Sequence, residues 1–225
     1  MRGTLPSIPL TVAMVVVSSA AGANAEAAPI DLSDFFLDAA AEVALARSAA
    51  PEVISGDATV LVLGSAGYEV AETGTNGFTC MVLRSWSGPA GTMDPGVKAP
   101  ICLNPPASDT VLRRHVFVAA RVAAGVERGE AEREIDGLLA RGEMRRPGPG
   151  ALGYMMSAGQ WLNERVERFL PHLMFFQPGV GGADVANAGL TSGLPFVIGG
   201  ATGDWGDITV TLPESSFVEP EGEGR

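Results

Sequence analysis

Two histidines, His115 and His172, and two cysteines, Cys80 and Cys102, are the scarce reactive side chains of this 225-residue chain. Imidazole ordinarily titrates near neutral pH, so each histidine is a candidate acid/base group. His172 stands at the entrance of a very apolar run, Pro171-His172-Leu173-Met174-Phe175-Phe176. Tyr154 opens what reads as the neighbouring strand, and Trp205 follows a Gly-rich loop. His172 beside a Tyr, a Trp and an Asp could orient a small ligand or move a proton. His172 and Tyr154 are therefore the candidate catalytic residues, and His172, Tyr154 and Trp205 the candidate binding residues. The competing reading is a structural histidine whose ring bonds a backbone carbonyl. His115 follows two arginines inside a helical stretch and reads as a half-exposed helix residue.

Other patterns fail on spacing. Gly64-Ser65-Ala66-Gly67 is one residue short of a nucleophile elbow and reads as a hairpin turn. Gly179-Val180-Gly181-Gly182 follows a strand, but the third dinucleotide glycine would fall on Asp184 and no P-loop lysine follows, so it reads as a surface loop. Two histidines and a pair of thiols cannot readily build a zinc site. Asp204 and Asp207 flank Trp205-Gly206 without the twelve-residue calcium pattern. A metal-dependent module built on those two acids is a third, weaker reading, and no metal is assigned. Met81, Met155, Met156 and Met174 sit in apolar runs and read as core. No glycosidase carboxylate pair can be singled out among 26 acids. The sequence asks for no cofactor.

The elements that must position these residues begin after an export signal. Arg2 precedes an apolar run from Ile8 to Ala21, and Ala23-Asn24-Ala25 supplies a small-x-small cleavage triplet, with Ala25 the last residue removed. The rival reading, a membrane anchor, needs about 20 apolar residues, and this run is shorter. The chain carries a net charge of −11, and losing Arg2 with the signal makes it −12. That charge disfavours nucleic acid and anionic lipid as partners. In an oxidising compartment Cys80 and Cys102 are expected to pair, closing a loop whose constraint is worth about 3 kcal/mol in the chain-entropy model. A catalytic thiol and a metal ligand are the alternatives.

Asp31-Leu32-Ser33 can cap a helix over 34–48. Residues 58–63 read as a buried strand. Asn76-Gly77 between 68–72 and 78–84 reads as a two-residue hairpin, which would set Ala71 opposite Val82 and Glu69 opposite Arg84. Residues 86–107 read as a Pro/Gly-rich connection restrained by Cys102. Helices are expected over 110–124 and 130–141, with Gly142 as a C-terminal cap. Strands follow at 152–157, 172–177, 195–198 and 207–212. This order favours an α+β fold: a single domain over 26–212 with a mainly antiparallel sheet flanked by about three helices. A disordered acidic tail is expected at 213–225.

The runs Gly74-Thr75-Asn76-Gly77-Phe78-Thr79-Cys80, Ala99-Pro100-Ile101-Cys102, Gly153-Tyr154-Met155-Met156-Ser157 and Pro171-His172-Leu173-Met174-Phe175-Phe176 resemble those of a group of uncharacterised secreted bacterial proteins. The resemblance spans about 41–212. It implies export and a shared single-domain fold, and brings no activity, ligand or catalytic residue with it. The sequence thus points to a secreted or periplasmic, non-catalytic binding or structural module. Its partner would be an unidentified small molecule or peptide, and no membrane segment remains once the signal is removed. The alternative is a small extracytoplasmic enzyme, hydrolase- or lyase-like, using His172 as acid/base.

Overall fold

The computed structural model describes residues 31–88, 93–164, 166–185, 189, 192–198 and 205–222. The segment expected to be an export signal, Asp204 and the last three residues lie outside them. Seven strands form one sheet: β1 (Thr59–Gly64), β2 (Gly67–Glu72), β3 (Thr79–Leu83), β4 (Ala99–Leu103), β5 (Leu152–Met155), β6 (His172–Phe176) and β7 (Asp207–Thr211), in the order β2-β1-β3-β4-β5-β6-β7. Every neighbouring pair is antiparallel except β1 and β3. The architecture is a single α+β domain.

Continuous apolar runs form the centre. Every residue of β3 (TCMVL) and β4 (APICL) is buried, as expected for strands covered on both faces. Helix α1 (Ala39–Arg47) covers one face at β1, β3 and β4. Its Leu45 and Ala46 pack on Val60, Val82 and the Cys80–Cys102 disulfide. The two cysteines are direct cross-strand partners. Single turns α2 (Glu52–Ser55) and α3 (Pro105–Ser108) precede β1 and the next long helix. Helices α4 (Val111–Ala123) and α5 (Arg128–Ala140) lie on the opposite face. There Leu61, Met81, Ile101, Met155 and Phe176 form one cluster, and Leu63, Trp86, Val118, Val122 and Ile135 another.

Five expectations are corrected. The Asn76-Gly77 hairpin does not form: β2 pairs with β1 around the Gly64–Gly67 turn, and β3 runs parallel to β1 on its other side. A type I′ turn needs positive φ at both central residues, and only Gly77 has it, at 77°. The chain instead passes against the start of β1. A Cβ on Gly74 would lie 2.2 Å from the carbonyl oxygen of Asp57 and from Ala58 C, so only glycine fits that crossing. Thr75 N–H and Asn76 N–H donate to Asp57 O, and Asn76 Nδ2 donates to Ile54 O.

The first helix starts at Ala39, not Asp34. Asp38 accepts from Ala40 N–H and Ala41 N–H as its cap, while residues 33–35 form a separate 3-10 turn. Cys102 lies in central strand β4 rather than in a connection. Residues 213–222 are docked, not free. Val218 N–H donates to Met156 O, Ala158 N–H to Val218 O, and Arg168 sits 4.5 Å over the Phe217 ring. Of the late strand pair, β7 forms, and 195–198 reduces to a bridge between Phe196 and Thr209.

Candidate functional site

Strand register decides which candidate residues can meet, because cross-strand partners share a face. Tyr154 pairs with Cys102 and Leu173; Met155 pairs with Ile101's face and directly with His172. Tyr154 therefore points to the α1 side, where its ring lies 6.3 Å from Phe78. His172 points to the α4 side. The proposed His172–Tyr154 pair is overturned: the sheet stands between them. Two adjacent strands of unknown register leave face assignment open by one residue, and one residue flips the face.

On the α4 side a cavity of about 260 Å³ opens between the sheet and α4, and both His172 and Trp205 line it. Its walls are mostly apolar, with Leu83, Ile101, Met155, Phe169, Met174 and Phe176 among them. The polar groups that reach it are Arg84, Ser87, Arg114, His115, His172 and Asp207. A wider depression of about 660 Å³ runs along α1, but exposed or half-exposed side chains such as Ala39, Ala40, Arg47 and Glu72 line it. It offers a ligand little desolvation.

His115 is the residue the sequence placed wrongly. It is 7% exposed, not half-exposed. The signal was present: Val111, His115, Val118 and Val122 recur at helical spacing and form the buried stripe of α4. Burial, reinforced by the neighbouring Arg114 cation, pushes His115 down to about 3. Its ring is neutral at pH 7, and it has no hydrogen-bond partner among the described residues. His172 is 2% exposed. Its Nδ1 lies 2.8 Å from the Leu170 carbonyl oxygen. A carbonyl only accepts, so Nδ1 carries the proton and Nε2 of the neutral ring is an acceptor. Burial lowers this ring's proton affinity, against the opposing Leu170 bond.

Arg84 links the cavity to a buried ion pair. It is 1% exposed and donates from Nε to Phe35 O (3.1 Å), from Nη1 to Val82 O (2.7 Å) and from Nη2 to Glu42 Oε1 (2.8 Å). Glu42 also accepts from Leu63 N–H at 3.1 Å. Burial raises the Glu42 carboxyl above its usual range, partly offset by Arg84. The expected Glu69–Arg84 pair does not exist, because β2 lies beyond β1. Arg114 grips Glu132 through Nε and Nη2 and lies 5.6 Å from the Trp205 ring. Asp207 accepts from Thr209 Oγ1 at 2.9 Å, and burial raises its carboxyl.

Ser87 ends the 3-10 turn that packs on α4 (Ser85–Ser87), and its Oγ is buried with no partner among the described residues. No group of three His, Cys, Asp or Glu side chains able to hold a metal occurs among the described residues. No described helix is long and apolar enough to cross a membrane. No protein-family model, no curated protein and no solved structure matches the chain.

Proposed function

We propose that this protein is a non-catalytic binding module of the extracytoplasmic space, and that the space between the sheet and α4 holds a small apolar molecule. One observation carries the reading. A mostly apolar cavity of about 260 Å³ is lined by the buried rings of His115 and His172, and the Ser87 hydroxyl that also lines it is buried without a partner among the described residues. Buried polar groups without partners are rare in folded proteins because each costs about 1–3 kcal/mol. A ligand that bonds to them removes that cost, and few convergent polar groups in an apolar pocket are the usual form of a small-molecule site. The Cys80–Cys102 disulfide supports an oxidising compartment.

Acid/base catalysis by His172 has less behind it. The ring's one N–H is committed to Leu170 O, and Tyr154, its intended partner, lies behind the sheet. The binding reading is tested with three probes of about nine heavy atoms, 1-octanol, octylamine and heptanoate. At about 30 Å³ per water-sized group, that is the content of a 260 Å³ space. At least one should raise the unfolding free energy with the logarithm of its concentration, by about 2.7 kcal/mol at a hundredfold excess over Kd. Ala99→Phe, which fills the cavity, should abolish the rise. If none of the three gives saturable calorimetric binding, the reading is lost.

A further inference from the structure

The charge lining the cavity says more about its occupant. Two permanent cations reach it, Arg84 and Arg114. The carboxylates that balance them, Glu42 and Glu132, do not line it. Arg84 spends Nε, Nη1 and Nη2 on Phe35 O, Val82 O and Glu42, and its side chain is 1% exposed, so it lends the wall charge and no accessible donor. Arg114 uses Nε and Nη2 on Glu132 and leaves Nη1 without one. Glu132 is shared with Arg128, 3.5 Å away, so one carboxylate there faces two guanidiniums. The one acid in the lining, Asp207, is held towards its protonated form by burial. The wall thus offers more positive charge than its own acids absorb. A neutral apolar ligand would leave Arg114 Nη1 unsatisfied, and an amine would meet like charge.

We propose that the occupant is a small apolar acid, a carboxylate on an aliphatic or aromatic body of about nine heavy atoms, with its head group held by Arg114. This rests on the cavity being a binding site at all. The carboxylate would accept charge-assisted hydrogen bonds from guanidinium N–H groups, the stronger class of such bonds. The body would lie along Met155, Met174 and Phe176. The His115 ring sits beside the head group and is neutral when the cavity holds no ligand. An anion next to it favours its protonated form.

The test is calorimetric titration of the mature, oxidised protein with heptanoate, 1-octanol and octylamine, equal in size and different in head group. Heptanoate is expected to bind at least tenfold more tightly than 1-octanol, and octylamine most weakly. Arg114→Met, which keeps an apolar stem over Trp205, is expected to bring the heptanoate-to-octanol ratio close to one through loss of heptanoate affinity. Equal or tighter binding of octanol or octylamine by the wild-type protein overturns the acid and leaves the binding site standing. Binding of none of the three overturns both. The wild-type ranking decides the matter even if the variant fails to fold.

Discussion

Two buried polar clusters touch the same strands and are built to opposite rules. Around Glu42 and Arg84 the polar atoms are matched: guanidinium to carboxylate, to Phe35 O and to Val82 O, carboxylate to Leu63 N–H, and Tyr68 Oη donating to Val82 O at 2.7 Å. In the cavity one is not: the Ser87 hydroxyl is buried with no partner among the described residues, while His172 Nδ1 is held by Leu170 O. The first cluster ties α1, β1, β3 and the Phe35 turn into one unit. The second weakens the fold and gains a place for something else to bond. Saturation marks a joint, and its absence in a mostly apolar cavity marks a site. Arg84 borders both, with all three of its nitrogens turned to protein.

The contrast breaks most visibly at Glu42. Glu42→Leu leaves the Arg84 cation buried and uncompensated, and loss of one partner of such a pair typically costs about 3–5 kcal/mol. Urea unfolding measures it. Replacing both residues, as Glu42→Leu with Arg84→Met, should recover most of that loss, since a hydrophobic pair of similar volume is often as stable as the ions it replaces. A single variant that costs under 1 kcal/mol would mean the pair is not shielded from solvent, and the two clusters would not differ in kind.

The second effect is smaller and depends on pH. His115 holds its proton only near pH 3 when folded, against about 6.5 unfolded. The unfolded chain therefore binds the extra proton first, and stability is full above about pH 6.5 and falls as pH drops towards 3. Between pH 7 and pH 4 the loss from this one ring is roughly 3 kcal/mol. His172, also lowered, acts in the same direction. Asp207 and Glu42 act against it, because their raised carboxyls take up protons more readily folded than unfolded. The difference between wild type and His115→Phe cancels those shared contributions. The variant should lose about 3 kcal/mol less than the wild type on moving from pH 7 to pH 4. Parallel pH profiles would place His115 in contact with water.

How much of this was readable in the residues varies by the physics involved. Strands β3 and β4 announce themselves as unbroken apolar runs, although Pro100 and the surrounding glycines disguise β4 as a connection. Helices α4 and α5 follow their periodicity to within two residues at each end. The Asn76-Gly77 hairpin was misread because the decisive contact is tertiary. Gly74 must clear the backbone of 57–59, and nothing local says so. Tyr154 was assigned to the wrong side because register is a property of pairs of strands. His115 was legible in the valine stripe it interrupts. Arg84 was not, since a single arginine after an apolar strand ordinarily leaves the core. Ser87 carries no sequence signal: its unpaired state exists only once the turn is packed on α4.

Ser87 also supplies the finest discrimination between the two kinds of polar cluster. Removing a hydroxyl that has no partner deletes a desolvation cost and no bond. Ser87→Ala should therefore leave the unfolding free energy unchanged or raise it by up to about 1 kcal/mol. Ser48 is the control. Its Oγ lies 2.6 Å from Ser157 Oγ and donates to Leu45 O at 2.7 Å, so Ser48→Ala should lower stability by about 1 kcal/mol. Opposite signs for two buried serines in one domain would be hard to explain by helix propensity or packing volume, because the substitution is the same. If Ser87 serves the ligand, the gain in stability should come with weaker binding of heptanoate. A Ser87→Ala variant that loses stability would show that its hydroxyl is already bonded, and would remove it from the site.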